Sequence, residues 1–171
     1  MLILLETSVT ECPVCHADTK VESNRLKDEV RRDLRDFDIL AGGYDVWLRT
    51  KKIELCDDEK VLIIFPRGNI LSPGPKAIDL LKSDNPRKED CDIILTDSRL
   101  ILCIGDRIAS TELHRIGACT VSETGRLLGH RYDLTVYLAD SKFKLILPYG
   151  SEKSKKVMNR ISLYIKSVML T

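Results

Sequence analysis

The residues best suited to chemistry lie near the amino terminus, where Cys12-Pro13-Val14-Cys15-His16 has the spacing of half a zinc site. Thiolates and imidazole are the ligands zinc prefers, so Cys12, Cys15 and His16 are the candidate metal ligands. A structural zinc needs four. No second Cys-x-x-Cys occurs, so Cys56 or Cys91 would have to fold back, or a second chain contribute, to complete the set. An unmetallated knuckle is the simpler reading, with no cofactor. The pair could also be a redox dithiol, since a nearby helix start lowers a thiol pKa, but the βαβ surroundings of such dithiols are missing.

His114 and His130, with Asp97, Asp106 and Asp133, are the other groups that could move protons. Neither histidine stands beside a nucleophile in sequence, and there is no Gly-x-Ser-x-Gly elbow or phosphate loop. Surface or structural roles account for all five, and no enzyme is expected.

The chain has 171 residues, enough for one good core and too few for two ordinary enzyme domains. With 43% apolar and 31% charged residues it should fold. Lys and Arg number 27 against 26 Asp and Glu, so no global field draws it to nucleic acid. The apolar run Met1 to Leu5 is far short of a membrane span and lacks a signal peptide's basic flank. The expected location is cytoplasmic, at most peripheral at a membrane. The six cysteines have no disulfide-scaffold spacing, and Cys103 and Cys119 fall in apolar runs as buried thiols.

From about Ser23 to Leu40, Leu26, Val30, Leu34 and Phe37 recur at helical spacing, and Gly42-Gly43 ends the helix. Tyr44, Val46 and Leu48 then alternate with Asp45, Trp47 and Arg49, which predicts a strand and places a boundary there: an extension over 1–43 and a domain over 44–171. Trp47, the only tryptophan, would pack under the first helix or contribute to a docking surface.

Lys60 to Phe65 reads as a buried strand ended by Pro66. Arg67 to Asp90 reads as a long connection, with a short helix over Pro75 to Lys82. Two apolar runs flanking Thr96-Asp97-Ser98-Arg99 form a tight hairpin, where Arg99 could tie the turn to a neighbouring carboxylate. Weaker strands follow around Ile108 and from Ile116 to Ser122. A turn-rich stretch from Glu123 to Gly129 leads to strands over Tyr132 to Leu138 and Phe143 to Leu147. From Ser151 a last helix carries Val157, Ile161, Tyr164, Ile165 and Val168 on one face. Lys153, Lys155, Lys156, Arg160 and Lys166 form its solvated opposite side.

The segment Ile93-Ile94-Leu95-Thr96-Asp97-Ser98-Arg99-Leu100-Ile101-Leu102 resembles the second and third strands of pleckstrin-homology-like domains, GRAM members in particular. Ser110-Thr111-Glu112-Leu113-His114-Arg115-Ile116 is similar to the family's polar-Leu-polar-polar-Ile step. The likeness covers roughly Leu55 to Leu170. It implies an α+β, mainly β fold: a bent seven-stranded antiparallel sheet or barrel capped by a carboxy-terminal helix, here with an amino-terminal helical extension. It also implies binding of a protein partner or a lipid headgroup. Headgroup binders of this family concentrate cations in the first long loop, where this chain has Arg67, Lys76, Lys82, Arg87 and Lys88 diluted by Asp79, Asp84, Glu89 and Asp90. The expectation is therefore an adaptor for a protein partner. Phospholipid binding through the loop and last helix is the alternative, and the amino-terminal region would be a docking arm or homo-oligomer contact.

Overall fold

The computed structural model describes residues 19–72, 87–126 and 129–169. Helix α1 spans Thr19–Arg35. Its stripe is the one the sequence predicts: Val30 and Leu34 are fully buried in the main core, with Leu26 and Phe37 packed beside them. It stops short of Leu40 because Asp38 captures the next amides. Its Oδ1 accepts the Leu40 N–H at 3.0 Å, and its Oδ2 accepts the Gly42 N–H at 2.9 Å and the Tyr44 hydroxyl at 2.7 Å. Ala41 and Gly42 then turn the chain through positive φ.

The strand predicted from Tyr44 is instead helix α2, Tyr44–Lys51. Tyr44, Trp47 and Leu48 are spaced i, i+3 and i+4, and all three pack against one apolar cluster, while Val46 is 66% exposed. Eight residues fit both periods, and the free outer face of the sheet decided for the helix.

Seven strands follow: β1 Val61–Ser72, β2 Arg87–Thr96, β3 Arg99–Ile104, β4 Arg107–Glu112, β5 Ala118–Arg126, β6 Gly129–Tyr137 and β7 Lys142–Ile146. They form one antiparallel sheet in the order β4-β3-β2-β1-β7-β6-β5. Pro66 does not end β1. Pro66 and Arg67 form a bulge opposite Asp92, where the missing proline N–H breaks no ladder bond and the Arg67 N–H donates to Asp92 Oδ1 at 2.9 Å. Beyond the bulge β1 bends to pair with β7 at Asn69, Ile70 and Leu71 while keeping β2 on its other side. Gly68 sits at the bend, where a Cβ would come within 2.8 Å of Ile93 Cδ1 and 2.9 Å of the Ile146 carbonyl oxygen. The connection read as 67–90 thus loses both ends to strands. The helix expected over Pro75 to Lys82 lies outside the described residues.

After β4 a single 3₁₀ turn, Leu113–Arg115, drives Leu113 and Ile116 into the core, as the polar-Leu-polar-polar-Ile pattern predicts. Helix α3, Ser151–Met169, inserts Val157, Ile161, Tyr164 and Ile165 into the same core and packs against β5, β6 and α1. The Ser162 hydroxyl donates to the Cys119 carbonyl at 2.9 Å, and Tyr164 OH reaches the Asp97 carbonyl at 3.4 Å, so α3 closes the end of the sheet that holds the β2–β3 turn. The result is the bent seven-stranded sheet with a capping terminal helix that the resemblance implies. The outer face of β1–β3 is covered as well, because Leu48, Ile64, Ile94, Ile101 and Cys103 form a second apolar cluster under α2.

Candidate binding surface

The antiparallel registers set the ends of the barrel. Ser72 pairs with Arg87, Ile104 with Arg107 and Tyr137 with Lys142, so these three pairs of strand ends lie at one mouth, opposite α3. There an apolar hollow of about 370 Å³ opens between β3–β4 and the β6–β7 turn. Leu100, Leu102 and Ile104 of β3 form its floor, and Leu138 and Phe143 stand on the far wall. Ala109, Ser110 and Thr111 of β4 are the near wall, and Lys142 is the one charged lining residue. Alternation explains the lining: Ala109 pairs with Leu102 and Thr111 with Leu100, so all four share the inner face.

The rim is mixed in charge. Lys88 and Arg107 are exposed there with Asp106 and Asp140, and Arg107 Nη2 lies 3.4 Å from Glu89 Oε1. Lys142 Nζ sits 6.0 Å over the Tyr137 ring and makes no ion pair among the described residues.

The structure does not bring the sequence-derived candidates to one place. Lys76 and Lys82 lie outside the described residues, as do the Arg87 side chain and Cys12, Cys15 and His16. Arg67 is exposed at the bulge with φ 69, and its backbone is the part in use. Trp47 is half-buried on the outer face and not under α1. Lys51 Nζ lies 5.5 Å over its ring and 3.0 Å from Asp92 Oδ2, the carboxylate that also holds the bulge. Lys88 is four residues along β2 from Asp92. Cys56 is exposed whereas Cys91 faces the core, with its thiol pushed up to about 12 chiefly by burial, so Cys91 is not placed as a surface ligand. Among the described residues no cluster of three His, Cys, Asp or Glu side chains could hold a metal.

His114 lies 3.4 Å from Glu112, and His130 pairs with Glu123, all exposed. Asp133 is buried, held by Arg131 Nε at 3.0 Å and the Thr124 hydroxyl at 3.1 Å. The basic residues of α3 are exposed, and three of them are engaged: Arg160 pairs with Asp33 at 3.1 Å, Lys153 covers the Tyr149 ring at 4.4 Å, and Lys155 covers Tyr132 at 5.2 Å.

Arg99 does tie the β2–β3 hairpin to a carboxylate. Its Nε and Nη2 donate to Glu59 Oε1 and Oε2 at 2.9 and 2.8 Å, and Nη2 also reaches the Glu54 carbonyl. The Glu59 side chain is 2% exposed and that of Arg99 21%. Thr96 Oγ1 lies 2.6 Å from Glu59 Oε1, and the Cys56 N–H donates to Oε2 at 2.9 Å. Burial alone would raise the Glu59 pKa. The Arg99, Thr96 and Cys56 hydrogen bonds outweigh it and bring the carboxyl down to about 2. The bidentate pair fixes the α2–β1 connection to the hairpin.

The hollow was not among the sequence candidates. Its lining residues belong to the ordinary alternation of their strands, and only the register shows which apolar positions remain uncovered at the mouth. The small-residue run Ala109-Ser110-Thr111 was the one available signal.

No protein-family model matches the chain, and no curated protein sequence does. Solved structures similar to it include the amino-terminal PH domain of Vps36, at 14% identity over 69% of this chain and 87% of that one, with a TM-score of 0.46. The hSac2 domain from human phosphoinositide phosphatase Sac2 gives 14% identity over 77% and 85%, TM-score 0.44. The linker-DH/PH domains of p115-RhoGEF give 16% over 87% and 41%, TM-score 0.40. The fold is pleckstrin-homology-like by its own strand order, bent sheet and terminal helix.

Proposed function

We propose that this pleckstrin-homology-like fold serves as a non-enzymatic binding module that recognises a protein partner through the open mouth of its barrel. The observation that carries the reading is the apolar hollow of about 370 Å³, which lies within the ~300–1,000 Å³ range of ligand pockets and is lined by side chains already held rigid in the sheet. A phosphorylated headgroup calls for concentrated cations. Here Lys88, Arg107 and Lys142 share the rim with Glu89, Asp106 and Asp140, and the basic face of α3 lies at the other end of the barrel, so a protein surface suits the site better.

The test places a photo-crosslinking amino acid at Ala109, or at exposed Leu163 on α3 as the control position, in the full chain expressed in cells. The expected result is a discrete polypeptide adduct from position 109 alone. Adducts from both positions alike, adducts to lipid, or salt-sensitive binding to anionic vesicles would overturn the reading in favour of a membrane role.

A further inference from the structure

We propose, building on the reading of the mouth as a protein-binding site, that the partner enters as an extended segment paired to the free edge of β4. It places apolar side chains at alternate positions in the hollow and an acidic residue against Lys142.

Three observations converge on this occupant. β4 is an outermost strand of the sheet and pairs only with β3 among the described residues, so its other row of N–H and C=O groups lacks a strand partner. The β3–β4 register runs without a bulge from Arg99–Glu112 to Ile104–Arg107, and between its charged ends, Arg107 and Glu112, β4 carries neither proline nor charge to blunt the edge. The hollow adjoins this edge, and the β4 residues on that side are small. An added strand would send every second side chain, ~7 Å apart, over the hollow and the intervening ones toward solvent.

The polar requirement comes from Lys142. It is the one charged residue lining an otherwise apolar cavity and has no carboxylate partner among the described residues. Lys142 is exposed at the rim, so a carboxylate arriving beside it would form its ion pair at the entrance to the hollow and fix which end of the segment is acidic. The preferred segment is therefore apolar-x-apolar with Asp or Glu at its mouth end. A segment rich in Lys or Arg is disfavoured.

The test pans a phage-displayed random heptapeptide library against the full chain and measures the enriched sequences as fluorescein-labelled peptides by anisotropy. Binding is compared in wild type, Lys142→Glu and Ala109→Phe, the last chosen to fill the hollow from an exposed edge position. Native folding of each variant is checked by its amide NMR spectrum. The expected result is enrichment of apolar-x-apolar-acidic sequences, roughly tenfold weaker binding to Lys142→Glu, recovery there when the peptide's acid is changed to Lys, and loss of binding to Ala109→Phe. Peptides that bind in the hollow but show no acidic preference, or ignore Lys142→Glu, would overturn this proposal and leave the mouth as a protein-binding site. Peptides indifferent to Ala109→Phe, or no enriched peptide, would overturn both.

Discussion

Replacing Arg99 by Met should remove the guanidinium while keeping the length of the side chain, and leave the Glu59 carboxylate nearly sealed from water. Glu59 would then keep only Thr96 and the Cys56 amide as partners. Removing one member of a buried pair costs ~3–5 kcal/mol, and the two surviving hydrogen bonds put the expectation near the lower figure, about 3 kcal/mol at pH 7. The lowered carboxyl pKa gives a second magnitude, for all the hydrogen bonds to Glu59 together. The carboxyl falls from an ordinary value of 4.5 to about 2 in the folded protein, and at ~1.36 kcal/mol per unit this corresponds to about 3 kcal/mol. Because the folded pKa is the lower one, this stabilisation is fully present above pH 4.5 and is lost as the pH falls from there toward 2.

The assay is urea unfolding followed by Trp47 fluorescence at pH 7, 4.5 and 2.5 in wild type, Arg99→Met and Glu59→Gln. Glu59→Gln removes the titrating group and keeps an amide in its place. Its stability should approach that of wild type on acidification, the gap closing by about 2.5 kcal/mol between pH 7 and 2.5. An Arg99→Met protein within about 0.5 kcal/mol of wild type at pH 7, or a gap that does not change with pH, would refute the reasoning.

Gly68→Ala should destabilise by about 1–3 kcal/mol in the same urea assay, because its methyl meets the Ile146 carbonyl oxygen, which is backbone and cannot swing aside. Leu34→Ala should cost about 2–5 kcal/mol, whereas Val46→Ala on the exposed side of α2 should stay within about 0.5; near-equal effects would mean that α1 is not part of the core. In a Cys12→Ser, Cys15→Ser background, one thiol, Cys56, should react rapidly with a disulfide reagent at pH 8. Burial pushes Cys91 and Cys119 up to about 12 and raises Cys103, so these three should react only on unfolding, and a second fast thiol would contradict their placement.

The succession of strands along the chain and the capping terminal helix were legible because the hairpins carry their own turn signals. Thr96-Asp97-Ser98-Arg99 and Ala139-Asp140-Ser141 lie between apolar runs, and Ser110 to Ile116 marks the crossing between the two halves. α2 was misread because Tyr44 and Leu48 satisfy both the alternating and the helical period, and eight residues are too few for Val46 or Trp47 to decide. Pro66 was misread because its meaning depends on the partner strand: opposite Asp92 it belongs to a bulge. The apolar stripe of α1 is used against α3 and the sheet. Lys142 carries no local signal, and the small-residue run of β4 carries only a weak one. Their relevance arises from three pairs of strand ends meeting at one mouth, a property of register that no window of sequence contains.

The two apolar clusters lie on opposite faces of the same three strands, so β1–β3 is a slab enclosed above and below, while among the described residues β4 pairs with a strand on one side alone. Amide protons in such a slab exchange with solvent only when the whole domain opens, whereas those of an outermost strand escape through small local excursions. The outermost strand is thus the part of the sheet with the most freedom to adjust, against a backing closed on both faces. Under the proposed reading, a segment added to β4 would tighten that strand without disturbing the slab behind it.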